Sequence, residues 1–215
     1  MEGVIGFFQY FWDIREMVFV LTVRHAWMAL AGVALGTLTA VPIGILISRK
    51  PRAGNVVIDL AGMLYTIPSL ALLGFLLPFM GLGWLPTITA LVIYSWLPVL
   101  RNTVTGILGV DPAAKEAAKG MGATPYQLLI NVELPMALPV IMAAIRTVAV
   151  LTVGITVMGA LVGARGLGEL IFQGISMMNN WTILAGTIPV SIMALLFDYL
   201  LGRLERRLKV VTSSA

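Results

Sequence analysis

The sequence predicts an all-α polytopic membrane protein with about five transmembrane helices; six is the alternative count. Composition is the first reason. Of 215 residues, 59% are hydrophobic and 11% are charged, whereas soluble domains carry about 25% charged residues. So few charges cannot coat a water-facing surface. The second reason is five apolar segments, about 26–47, 55–79, 86–108, 136–162 and 181–202, each near the ~20 residues a helix needs to cross a bilayer. The third is that basic residues cluster in alternate connections.

Residues 1–19 form an N-terminal segment ahead of the first span. The 3–20 stretch reads either as an interfacial helix or as a longer start to that span. Val4 to Trp12 is apolar but has no basic flank and runs into Asp13, Arg15 and Glu16, unlike a usual cleavable signal peptide. The main domain is 20–201, and 202–215 is a tail. Gly32/Gly36 and Gly159/Gly163 have the four-residue spacing that lets helices approach closely. Pro42, Pro68, Pro78, Pro98, Pro139 and Pro189 each remove a backbone donor and tend to kink a span. Polar residues near one end of the third and fourth spans soften their boundaries.

Arg49, Lys50 and Arg52 lie between spans one and two, and Lys115 and Lys119 between spans three and four. Arg203, Arg206, Arg207 and Lys209 follow span five. The loop Met80 to Leu85 is uncharged, and 163–180 holds only Arg165 and Glu169. The positive-inside rule therefore puts the N-terminus outside and the C-terminus in the cytoplasm.

Several chemistries are poorly supported. There is no Cys, and His25 is the only His, which argues against thiolate metal sites and a Ser-His-Asp triad. None of the four Lys residues follows a Gly, so the Gly-Lys end of a P-loop is missing. Acidic residues are scarce in the spans, against an ion-coupled secondary transporter. No covalent chemistry is expected.

The segment 111–135 is the richest in local signals. Asp111-Pro112 suits a helix start, Asp as cap and Pro at the first position. Ala113 to Ala118 would propagate a short, slim helix, with Gly120 and Gly122 as exits. Thr124-Pro125-Tyr126-Gln127 is a second start with capping-box spacing. That helix would run through Leu128, Leu129 and Ile130 toward span four.

Within this segment, Glu116-Ala117-Ala118, then Gly122, Val132 and Leu134-Pro135, is spaced like the signature of permease subunits of type I ABC importers. The resemblance spans roughly 20–201 and is strongest to the glycine betaine/carnitine/choline branch. It is carried also by His25 to Ile47, Thr66-Ile67-Pro68-Ser69-Leu70-Ala71, Leu97 to Thr103, Val110-Asp111-Pro112 and Glu133 through Thr147. Val132 replaces a usual Ile. Arg165 stands where a Gly is usual in the loop after span four.

The resemblance implies an ATP-driven importer permease whose segment 111–135 couples to the ATPase through Glu116, Ala117, Ala118, Gly122, Leu134 and Pro135. It implies ATPase subunits carrying ATP and Mg, a second permease chain (identical or paralogous) and an extracytoplasmic solute-binding protein, in a prokaryotic cytoplasmic membrane. It implies no cofactor or metal of the chain's own and no nucleic acid. The cargo implied is a quaternary-ammonium osmoprotectant. Another small solute, such as an amino acid, is the alternative.

Arg146 lies about ten residues into span four. A central Arg is costly in a bilayer and needs a partner or a cavity. Asp198 in span five and Asp59 in span two are the candidates, forming an interspan lock or a gate. Arg101 and Asn102 read as snorkelling residues. His25 reads as interfacial or capping at the outer end of span one. Trp84 and Trp181 read as belt anchors.

Overall fold

The computed structural model describes residues 2–213, and the side chains of 5–208 among them. Met1, Ser214 and Ala215, at the ends of the expected terminal segments, lie outside the described residues, as does the side chain of Lys209. The fold is all helical. Its helices are α1 (Glu2–Asp13), α2 (Arg15–Ser48), α3 (Pro51–Thr66), α4 (Ser69–Met80), α5 (Trp84–Leu108), α6 (Pro112–Gly120), α7 (Pro125–Leu128), α8 (Leu134–Met158), α9 (Gly168–Ser176) and α10 (Asn180–Ser213). A π turn (Leu129–Glu133) joins α7 to α8, and a 3-10 turn (Gly159–Val162) ends α8. Among the described residues, four helices are long and apolar enough to cross a membrane, and α3 with α4 makes a fifth span if the bent pair counts as one.

The N-terminal region is a separate helix, α1, followed by an α2 that starts well before residue 26. The expected single span 55–79 is instead two helices meeting at 97°. Pro68 has no N–H, and Ile67 before it is extended (φ −65°, ψ 127°), as the residue before a proline prefers. The Tyr94 hydroxyl on α5 donates to the Ile67 carbonyl at this break. Pro42, Pro98, Pro139 and Pro189 lie within continuous helices. The expected loop 163–180 contains α9. Span five continues as α10 far past residue 202.

Helix α2 packs along α5 through small residues. A Cβ at Gly32 would lie 2.4 Å from the Cβ of Leu91, one at Gly36 2.4 Å from the Cβ of Ser95, and one at Gly44 2.7 Å from the Cβ of Thr103. Glycine at these positions lets the two helices touch backbone to side chain. Buried Ala40, Val99, Leu100, Val148 and Ala149 bring α2, α5 and α8 into one core. Val18, Leu21, Ala29, Val153, Leu170 and Ala185 bring α2, α8, α9 and α10 into another.

His25 is fully buried within the bundle beside this second region. Its Nε2 donates to the Val153 carbonyl at 3.0 Å. Because α2 begins at Arg15, residue 25 lies nearly three turns inside the helix.

Candidate functional site

Local chemistry builds the α6–α7 segment. Asp111 accepts from the Ala113 amide at 2.9 Å, so α6 is capped by its side chain. At the other end the Ala123 amide donates to the Ala118 carbonyl at 3.0 Å and Gly122 adopts φ +85°. That left-handed conformation suits glycine and closes a helix. Thr124 and Gln127 form a complete capping box, with Thr124 N–H donating to Gln127 Oε1 at 2.8 Å and Gln127 N–H to Thr124 Oγ1 at 3.3 Å.

The chain then enters the π turn. Pro135 offers no N–H, and a proline ring crowds the carbonyl four residues back. The Leu134 amide bonds Leu129, five residues earlier, so the helix widens just ahead of the proline.

Glu116, Ala117 and Gly122 are exposed, whereas Ala118 is buried against the bundle. Leu134 is half-buried and Pro135 is exposed. Met121 and Tyr126 add exposure of 83% and 71% on the same segment. Sequence reasoning did not single these two out. Their signal was weak: apolar side chains beside glycine and proline, in a loop that otherwise reads as solvated.

The segment is tied to the bundle by Glu133, only 1% exposed. Arg49, the C-cap residue of α2, grips its carboxylate with both terminal guanidinium nitrogens; the Nη1–Oε1 bond is 3.1 Å and Nη2 pairs with Oε2. Lys115 of α6 places its Nζ 3.8 Å from Oε1 and donates to the Ile107 carbonyl of α5 at 3.0 Å. The burial of Glu133 and its two basic partners were not read from the sequence.

Arg146 makes a two-pronged contact with Asp198, Nε to Oδ1 at 2.6 Å and Nη2 to Oδ2 at 2.8 Å. A third contact runs from Nη1 to Glu205 at 3.3 Å. Asp198, Gly202 and Glu205 share one face of α10, spaced four and then three residues apart. Gly202 makes the room, since a Cβ there would lie 3.0 Å from the Arg146 Cζ. Asp59 is exposed on α3 and is not one of the carboxylates that hold Arg146. Arg146 is thus held by Asp198 and by Glu205, a residue that sequence reasoning placed beyond span five.

Asn102 donates to the Pro98 carbonyl at 2.8 Å, while Arg101 is exposed. Trp84 stacks edge-on with Trp27, centroids 5.5 Å apart, and Trp181 tilts against Tyr10 at 6.0 Å.

The bundle of apolar, membrane-length helices thus carries a capped helical appendage between α5 and α8. Residues 17–210 match the family described as "Binding-protein-dependent transport system inner membrane component", and the chain belongs to that family. It is 45% identical over 208 residues to the carnitine transport permease protein OpuCB of Listeria monocytogenes, covering 97% of this chain and 94% of the relative. It is 42% identical over 187 residues to the choline transport system permease protein OpuBB of Bacillus subtilis, covering 87% and 86%. Among solved structures, an inward-facing MetNI methionine ABC transporter chain superposes with a TM-score of 0.83, covering 91% of this chain and 98% of that one at 23% identity. At that identity the likeness speaks for the fold, that of a type I ABC importer permease.

Proposed function

We propose that this chain is the permease subunit of an ATP-driven importer for a quaternary-ammonium osmoprotectant such as glycine betaine, carnitine or choline. The observation that carries the cargo class is near full-length similarity, at 45% and 42% identity, to permeases named for carnitine and choline. The observation that favours an external engine is geometric: α6 is capped at both ends yet leaves Glu116, Ala117, Met121 and Tyr126 exposed.

In this reading, the 111–135 segment faces the cytosol. Glu116, Ala117 and Gly122 form the surface that meets an ATPase subunit. Buried Ala118 and half-buried Leu134 seat the segment on the bundle, and exposed Pro135 shapes its exit into α8. ATP and Mg belong to that ATPase. Two permease chains form the pathway, and an external solute-binding protein delivers cargo. The N-terminus is outside. Closing of the ATPases pushes the segment and turns the pathway outward, and hydrolysis resets it. The bond between Arg146 and the Asp198/Glu205 pair locks α8 to α10.

The test is uptake into proteoliposomes holding the permease, its ATPase and the binding protein. Labelled glycine betaine should enter only with ATP, and choline or carnitine should compete better than amino acids. Equal flux without nucleotide overturns the importer reading. Competition by amino acids alone overturns the cargo.

A further inference from the structure

Glu133 stands where four helices converge. It ends the π turn at the root of α8. Its carboxylate holds Arg49 at the end of α2 and faces Lys115 of α6, and Lys115 in turn holds the Ile107 carbonyl in the last turn of α5. This ion pair adds little net stability, because taking the Glu133 carboxylate out of water offsets much of its attraction to the half-exposed Arg49. Stability alone is a poor reason for a glutamate here. What the pair supplies is direction: each partner is fixed at one distance and one angle.

The surrounding geometry is suited to passing on movement. Helix α6 has both ends capped, so it moves as a unit. The π turn beside Glu133 is a widened coil of a kind found often at functional sites.

We infer that Glu133 is a positioning residue for transport, the joint that carries displacement of α6 to α2, α5 and α8 through Arg49 and Lys115. The inference rests on the reading that α6 is pushed by an ATPase, and it names the residue inside the permease that receives the push. Removing the joint leaves ATPase docking in place, because Glu133 is buried beneath the exposed face of α6. Nucleotide is then hydrolysed without a matching movement of the spans.

The experiment uses the complete complex in liposomes and measures glycine betaine taken up per ATP hydrolysed. Glu133→Gln preserves size and removes the charge. The complex should still assemble and hydrolyse ATP, and solute per ATP should fall by about five-fold or more, the low end of a usual coupling between sites. Arg49→Gln should lower the ratio in the same direction, and the double variant should be no worse than Glu133→Gln alone, which already removes both charge contacts of the carboxylate.

If uptake and hydrolysis fall in proportion, so that the ratio stays at the wild-type value, the residue is merely structural and the inference is overturned. An unchanged ratio at full activity overturns it too. Should Glu133→Gln fail to assemble, Arg49→Gln and Lys115→Gln decide by the same ratio, because these side chains lie nearer the surface, at 47% and 21% exposure. Wild-type uptake that ignores ATP defeats the importer reading itself. ATP-driven wild-type uptake with normal variants defeats only the joint.

Discussion

The α2–α5 seam can be tested by adding a single methyl group. A Cβ at Gly32 would lie 2.4 Å from Leu91 Cβ, 2.9 Å from its Cδ1 and 3.3 Å from its Cγ. Favourable carbon–carbon separation is about 3.5–4.0 Å, so the nearest pair is short by more than about 1 Å. Leu91 Cβ is fixed by its own backbone, and no rotamer moves it away. The helices themselves must part. Overpacking of this kind costs about 1–3 kcal/mol, and three close contacts place Gly32→Ala at the upper end. Replacing glycine inside a helix returns about 1 kcal/mol of backbone entropy. The net loss is about 2 kcal/mol. Gly154 on α8 is the control, since a Cβ there meets nothing within 4 Å. Gly154→Ala should gain about 1 kcal/mol. At about 2–4 °C per kcal/mol for a chain of this size, Tm should fall by about 4–8 °C for Gly32→Ala and rise by about 2–4 °C for Gly154→Ala. Thermal unfolding of the purified protein in detergent reads both. A Gly32→Ala protein that melts at or above the wild-type temperature refutes the close-contact argument.

Tyr94→Phe leaves the Ile67 carbonyl unpaired at the α3–α4 break and should destabilise by about 1–3 kcal/mol; an unchanged melting curve shows that another group satisfies the carbonyl. Gly122→Val forces a branched side chain to φ +85°, a strain of about 1–2 kcal/mol. It should reduce ATP-driven uptake while membrane levels hold, and normal uptake argues against a mechanical role for this turn. Glu116→Lys reverses the charge on the exposed face of α6 and should weaken ATPase co-purification without lowering the amount of permease in the membrane. Gly202→Ala displaces the Arg146 guanidinium, so it should lower permease levels or uptake much as Arg146→Ala does; wild-type behaviour in both variants removes the lock.

What was legible in the sequence was local. The caps at Asp111 and Thr124 need only residues within a few positions of each other, and both form as their spacing predicts. The Gly32/Gly36 spacing identified a packing face without naming α5 as its partner. What could not be read was non-local or depended on where helices end. The burial of His25 was missed because the first span was started at residue 26, whereas α2 begins at Arg15 and carries His25 in its packed interior. Glu205 looked cytoplasmic because span five was ended at 202. Asp59 has the right charge and a plausible depth, but it lies on the exposed side of α3. Glu133 is the clearest case. Its immediate neighbours, Val132 and Leu134, are aliphatic and carry no charge that could pair with it, and only the fold brings Arg49, at the end of α2, beside it.

Two of the long-helix pairings, α2 with α5 and α8 with α10, are held by different forces, and the membrane explains why both are needed. Lipid tails are as apolar as leucine, so burying leucine between helices in a bilayer favours no particular pairing. Specificity must come from shape or from polar contacts. Helices α2 and α5 use shape: Gly32, Gly36 and Gly44 receive Leu91, Ser95 and Thr103 in register, and a shift by one residue would set each of these side chains against a residue that carries a Cβ. Helices α8 and α10 use charge, with Arg146 between Asp198 and Glu205. The charge contact also depends on a glycine. Without the space left by Gly202, the guanidinium could not lie flat between carboxylates four residues before it and three after. Three positions on α10 therefore define one site for one side chain of α8, and that site fixes both the rotation of α10 and its height against α8.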